Sequence, residues 1–259
     1  MADLETFYRV LAQPDPSQYA SRLFKAPGLA NEKKHNKTLG ICKKWFDRAD
    51  PAVQECCQAA LKWFTAERGY TIVDIDIPLL HEGQLAHAMT ILAEGAASIK
   101  SVANLTAANK VLMRVAQQTP ATDFLLAQKL RNLLMQHLAH LYAQHPGLII
   151  VTPTTPNAGW PIGDGELAYG MSDANTQLRN MEYVWLANFT GVPCIQFPVG
   201  FVQGKGEGRV PVGLMGHGEW GSESGLVEFG FEGERWVGEG LVGGRVRPKG
   251  WVDVLGGRA

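Results

Sequence analysis

An excess of basic charge is missing from this sequence: 24 Lys and Arg stand against 25 Asp and Glu, a net charge of −1. No basic cluster exceeds the pairs Lys33-Lys34 and Lys43-Lys44. A phosphate backbone therefore meets no matching stripe, and nucleic acid is excluded as a partner. Long apolar runs are also missing. None approaches the roughly 20 residues that span a bilayer, and Met1-Ala2-Asp3-Leu4-Glu5 lacks the basic-then-apolar pattern of a signal peptide. No membrane partner is expected, and the expected compartment is the cytoplasm. Cysteine is scarce: Cys42, Cys56, Cys57 and Cys194 show no Cys-x-x-Cys or Cys/His ligand spacing. They read as reduced packing residues. Repeats of solenoid length are absent.

What remains is the composition of a globular protein, with 46% hydrophobic and 19% charged residues. Its 259 residues suffice to bury roughly 70–75% of the unfolded surface. Residues 1–38, with Pro14, Pro16, Pro27 and Gly28, read as one or two helical turns followed by an extended connector strap. Leu39-Gly40-Ile41-Cys42 then reads as a short buried strand. Asp50 and Pro51 suit the N-cap and first residue of a helix that Gly69 closes. Val73, Ile75 and Ile77 alternate with Asp74 and Asp76, a strand period. Strand, helix, strand in this spacing predicts a βαβ unit with parallel pairing.

Helices are expected over 82–100, 106–117 and 122–145. On the last, Leu126, Leu130, Leu133, Leu134, Leu138 and Leu141 are taken to form one apolar face. Leu148-Ile149-Ile150-Val151 is a continuous apolar run, as a strand covered on both faces requires. Thr152-Pro153-Thr154-Thr155-Pro156 follows at that strand's carboxyl end, the edge where open α/β sheets bind ligands. Ser172 or Asp173 is expected to cap a helix running to about Asn188. Residues 194–199 and 210–215, joined by a glycine-rich turn at 203–208, give a hairpin signal. The last 59 residues hold 17 of the 29 glycines. Gly225, Gly230 and Gly233 are expected to interrupt a helix over 222–236, at about 1 kcal/mol each. This end is expected to be the least ordered.

Several patterns carry less chemistry than their letters suggest. Gly238-Glu239-Gly240-Leu241-Val242-Gly243 spells a dinucleotide fingerprint, but Arg245-Val246-Arg247-Pro248 follows in place of a helix. No cofactor is expected. His137, His140 and His145 lack an acidic partner and read as packing or solvated residues, so no metal is expected either. His87 and Glu94 share a helix face without a nucleophile beside them. Gly221-Ser222-Glu223-Ser224-Gly225 has Glu where a nucleophile elbow needs Ser. Residue logic alone finds no catalytic constellation.

Three stretches, taken in order, resemble one family. Leu39-Gly40-Ile41, Trp45-Phe46 and Asp50-Pro51-Ala52-Val53, leading to Gly69-Tyr70 and on to Val73, Ile75 and Pro78, resemble the mid-chain segment of amidase signature enzymes. Val151 to Pro156 with Ala158 resembles their threonine-proline loop. Asn188-Phe189-Thr190-Gly191-Val192-Pro193, then Pro198-Val199-Gly200 and Val210 to Gly216, resemble their Asn-x-x-Gly-x-Pro strand and following hairpin.

The resemblance implies an α/β fold, the C-terminal part of the amidase-signature fold: a mixed, mostly parallel sheet covered by helices. It divides the chain into the strap 1–38, a partial amidase-like domain 39–220 and a Gly-rich tail 221–259. Members of that family hydrolyse amides with a serine, a second serine and a lysine in a Gly/Ser-rich stretch that this sequence lacks. No catalytic residue is therefore assigned. The first residues, Leu4 to Pro16, resemble the segment after the serine loop. Thr152, Thr154, Trp185 and Asn188 are the substrate-binding residues so implied. Relatives that use glutamine carry an acidic residue where Met181 stands, so an apolar or aromatic amide is favoured. The chain is thus expected to be an amide hydrolase represented by its C-terminal portion and inactive alone. The alternative is a non-catalytic module that binds a small amide or pairs with another chain. Self-association through exposed sheet edges is a further expectation.

Overall fold

Six consecutive buried residues, Leu148–Pro153, form β3, the middle strand of a five-stranded sheet. The computed structural model describes residues 1–19, 21–23, 36–204, 208–247 and 250. The strap through Pro27 and Gly28, the middle of the turn at 203–208 and most of the tail beyond Arg247 lie outside the described residues.

β1 (Thr38–Ile41) lies parallel both to β2 (Thr71–Asp74) and to β3. β5 (Arg209–His217) runs antiparallel to β3 and to β4 (Cys194–Gln203). The order is β2-β1-β3-β5-β4. The sheet is mixed, its strand pairings divided evenly between parallel and antiparallel, because the predicted hairpin supplies two antiparallel strands beside the βαβ unit.

The unit's helix is α3 (Pro51–Arg68), with Pro51 in its first turn and Gly69 closing it at φ +71°. Asp50 does not cap it through its side chain; its carboxylate instead pairs with Arg179 at 2.5 Å. At the N-terminus α1 (Ala2–Leu11) is a ten-residue helix, longer than the one or two turns expected, with no buried residue. Three helices follow β2: α4 (Leu80–Ser98), α5 (Ala107–Ala116) and α6 (Ala121–Gln144).

The apolar face expected on α6 splits in two. Ala127, Leu134, Leu138 and Leu141 are buried, while Leu126 and Leu133 are 59% and 50% exposed. Residues 126 and 133 are seven apart, one stripe round from 127, 134, 138 and 141, and only the second stripe meets α4 and its neighbours. Tyr142 at the end of α6 ties this layer to the sheet, its hydroxyl donating to the His217 carbonyl at 3.4 Å.

The single helix expected between Ser172 or Asp173 and Asn188 is broken. Asp173 caps α8 (Ala174–Asn180), accepting from the Asn175 and Thr176 N–H groups, and α9 (Trp185–Thr190) starts anew. The break turns Tyr183 inward. Its hydroxyl reaches the carbonyls of Trp45 and Phe46 at 3.1 Å each, at the end of α2 (Lys43–Phe46). Both carbonyls, at the helix's C-terminus, also accept from the Arg48 and Ala49 N–H groups, at 3.1 and 3.3 Å. Between β3 and α8 the chain makes only the short α7 (Glu166–Tyr169).

The tail overturns the expectation of a glycine-broken helix. Glu223–Arg235 is a continuous helix, α10, that runs on into a π-turn over Trp236–Gly240. A Cβ at Gly233 would sit 2.5 Å from both Phe197 Cδ1 and Cδ2, and one at Gly230 would sit 2.6 Å from Ile195 Cδ1. These glycines let the helix axis approach β4 closely, and packing outweighs the propensity cost of about 1 kcal/mol each. Phe64 of α3, Phe197 and Phe229 of α10 form an aromatic cluster there, with centroids 5.1–5.9 Å apart, Phe197 edge-to-face with both others. Gly238 to Gly243 follow a helix with no strand leading in, the opposite of a dinucleotide turn.

Candidate functional site

β3 leaves the sheet at Thr154, whose N–H donates to the Gly213 carbonyl at 2.9 Å. The next two residues turn sharply: Thr155 Oγ1 donates to Asn157 O at 2.7 Å, and the Asp50 N–H donates to Pro156 O at 2.7 Å. The proline loop is thereby clamped to the start of α3. Between it and the β4–β5 hairpin lies a cleft of about 270 Å³, lined by Thr154, Thr155, Gln196, Pro198, Pro211 and Gly213 among others. No charged side chain lines it.

Gly213 shapes this wall. A Cβ there would stand 2.5 Å from Thr154 Oγ1, so glycine is what allows the threonine to lie against β5. Thr154 Oγ1 is shut from solvent without a hydrogen-bond partner among the described residues. A second cleft of about 480 Å³ opens on the other side of the loop, bounded by Asp50, Val53, Trp160, Pro161, Val202 and Val210.

The four residues expected to bind substrate do not converge. Thr154 lines the first cleft. Thr152 is buried two residues earlier, on β3, its hydroxyl 3.5 Å from His217 Nε2. Trp185 is fully buried, its ring 5.9 Å from Trp45 and pressed over Gly83, so it belongs to the core in this chain. Asn188 is exposed on α9. Gln196 is a cleft residue outside every motif of the sequence, while Pro198 and Gly213, also in the cleft, stood in the hairpin motif without being assigned to the site. Their signal was the two-residue period of the hairpin, which puts 196 and 198 on one face of β4.

None of the titratable residues that the sequence singled out lines the first cleft. Burial pushes the His217 imidazole down to about 4 and holds it neutral. His87 is buried and lowered in the same direction by desolvation, while Glu94 is exposed, so the two make no pair. Both His87 ring nitrogens are without a partner among the described residues, and its ring lies edge-on to Phe189 at 6.1 Å. His137 Nε2 is 2.7 Å from the Asp76 carbonyl oxygen. Met181 ends α8, and the carboxylate beside it, Glu182, is occupied: it accepts from Trp45 Nε1 at 3.1 Å and pairs with Arg48 at 2.8 Å. Ser222 Oγ is shut in at the start of α10. The four cysteines are free; Cys42 and Cys57 are buried, Cys56 is partly so, and Cys194 is exposed, which departs from a packing role. As it stands, the arrangement can hold an uncharged group against Thr154, Thr155 and Gln196.

The family model described as Amidase matches residues 1–227. The chain belongs to the Amidase family. Among curated relatives, a fatty acid amide hydrolase of Medicago truncatula is 29% identical over 226 residues, 84% of this chain and 35% of that protein. An amidase of Pseudomonas putida is 28% identical over 171 residues, 62% of this chain and 36% of that protein. This amidase-family chain therefore spans about a third of the length of the curated relatives it matches. A solved amidase superposes with a TM-score of 0.63 at 18% identity, over 83% of this chain and 49% of that one. A bacterial aryl acylamidase superposes at 0.57 and 17% identity, over 77% of this chain and 43% of that one. At these identities the superpositions establish the fold.

Proposed function

We propose that this chain is the substrate-side part of an amide hydrolase, and that hydrolysis needs a serine, a second serine and a lysine from a Gly/Ser-rich loop absent from its sequence. The observation that carries this reading is the cleft beside Thr154. It sits at the carboxyl end of β3, opens to solvent and offers only neutral hydrogen-bonding groups. Acyl transfer draws most of its rate from an activated nucleophile and oxyanion donors. Thr152 and His217, the hydroxyl–imidazole pair nearest the cleft, are 1% and 0% exposed and unable to reach a substrate. The uncharged wall favours a neutral amide, in keeping with the relatives named fatty acid amide hydrolase and amidase.

Incubating the chain with a fluorophosphonate serine probe and a panel of aryl and acyl amides tests the proposal. No labelling and no hydrolysis above background are expected. Co-expression with the part of the Pseudomonas putida amidase that the chain does not match should then restore hydrolysis. Stoichiometric labelling of a serine in the chain alone, Ser222 and Ser224 included, would contradict it. So would a soluble, associated pair of halves that hydrolyses nothing.

A further inference from the structure

α5 packs on α4 and buries Met113 and Ala116. On its outer side Val111 is 65% exposed, and Val115, one turn on, is exposed with it. A groove of about 320 Å³ runs from these residues to Ser172, Ala174 and Gln177 at the start of α8. α7 borders the same surface: a Cβ at Gly170, which ends it, would stand 3.4 Å from Oγ1 of Thr106, the residue before α5. Leu167 of α7 is 88% exposed, and Tyr169 is exposed too. Apolar side chains gathered in this way from two separate segments mark an interaction surface.

The charges on this surface say what covers it. Lys110 and Arg114 are the charged residues of α5, and Asp164 and Glu166 are those of residues 158–172. Arg114 donates to Gln117 Oε1 at 3.1 Å, and Glu166 Oε2 accepts from the Gly163 N–H at 2.7 Å. Among the described residues none of the four forms an ion pair. α7 ends and α5 begins at the contact between Gly170 and Thr106, so the acidic pair and the basic pair belong to different elements of one surface. An anionic lipid surface would be drawn to α5 and repelled by α7. A second copy turned by a twofold axis meets opposite charge at both elements, because an isologous contact sets α7 of each copy on α5 of the other.

We propose that the surface formed by α5 and α7 is a twofold interface between copies of this chain, with Leu167 and Tyr169 of each copy on Val111 and Val115 of the other. Asp164 and Glu166 then stand opposite Lys110 and Arg114, twice over. This places self-association on helices and not on the sheet edges that the sequence led one to expect, and it does not depend on the proposed function.

Sedimentation velocity of the full chain over a range of concentrations reads the association, with circular dichroism checking each variant's fold. Val115→Asp puts a charge on the exposed face of α5 and should weaken pairing by about tenfold or more. Phe7→Asp on α1 and Ile72→Asp on β2, exposed apolar residues elsewhere, should leave it unchanged. Lys110→Glu with Arg114→Glu makes a copy acidic on both elements, and Asp164→Lys with Glu166→Lys makes one basic on both. Each of these should pair with itself about tenfold more weakly or worse, while an equimolar mixture of the two should pair at least as tightly as the native chain. That recovery is something a merely misfolded variant could not give. A native chain that stays monomeric, a dimer insensitive to Val115→Asp, or a mixture that does not pair would each overturn the proposal. So would a dimer dissolved by Phe7→Asp or Ile72→Asp. Binding of a monomeric chain to phosphatidylserine vesicles, lost with Lys110→Glu and Arg114→Glu, would assign the surface to lipid and overturn it as well.

Discussion

Gly233→Ala is the perturbation for which local and tertiary physics give opposite signs. Glycine inside a helix is less favourable than alanine by about 1 kcal/mol, so propensity alone makes the substitution stabilising. In the fold the new methyl lands 2.5 Å from Cδ1 and Cδ2 of Phe197. Ordinary carbon–carbon contact begins at about 3.5 Å, so about 1 Å must be found. Phe197 cannot supply it, being 2% exposed and held between Phe64 and Phe229. The helix must lift or the ring leave its rotamer, at the upper end of the ~1–3 kcal/mol that overpacking costs. Set against the propensity gain, the net is a loss of about 2 kcal/mol. Gly238, in the π-turn, has nothing within 4 Å of its would-be Cβ, so Gly238→Ala should gain up to about 1 kcal/mol. Urea unfolding followed by tryptophan fluorescence reads both as midpoint shifts at constant slope. The pair Gly233→Ala with Phe197→Leu should recover part of the loss, since the two sites share one contact. An unchanged or raised midpoint for Gly233→Ala would refute the close packing of α10 on β4 as the reason for its glycines.

Two further outcomes follow from buried polar groups. His217 has a folded-state value of about 4 against 6.5 unfolded. The unfolded chain therefore takes up the proton first, and stability present above pH 6.5 is lost as pH falls toward 4. The loss is about 3 kcal/mol. Urea midpoints between pH 7.5 and 4.5 should fall more steeply for the native chain than for His217→Gln, and parallel profiles would count against it; His87 contributes in the same direction in both. Tyr183→Phe removes the buried hydroxyl's bonds to the Trp45 and Phe46 carbonyls, which keep the Arg48 and Ala49 N–H groups, and should cost about 1 kcal/mol, measured by the same unfolding. A loss under a few tenths would mean the hydroxyl adds nothing to carbonyls already paired with backbone N–H groups.

Much of the architecture was legible along the chain. Pro51 and Gly69 mark the ends of α3 because proline suits a helix's first turn and glycine adopts positive φ without strain. The apolar run at 148–151 reads as a strand covered on both faces, and the hairpin at 194–215 follows from its paired runs and glycine-rich turn. What misled were features whose meaning depends on a distant partner. Trp185 sits two positions from an inward tyrosine and looks like a channel residue, yet it fills the space above Gly83. Leu126 and Leu133 fit an apolar face by spacing, but nothing packs on their stripe among the described residues.

The sequence by itself determined the element types, the mixed α/β class and the family, because periodicity, punctuation and motif order are local properties that survive without a partner. Tertiary structure alone decided which strand face carries Gln196, why glycines at 230 and 233 favour rather than break α10, and that Thr154 lines a cleft while Thr152, two residues away, is sealed. Each of these depends on a contact between residues far apart in the chain. The energy of such contacts, about 1–3 kcal/mol apiece, exceeds the local preferences a sequence displays.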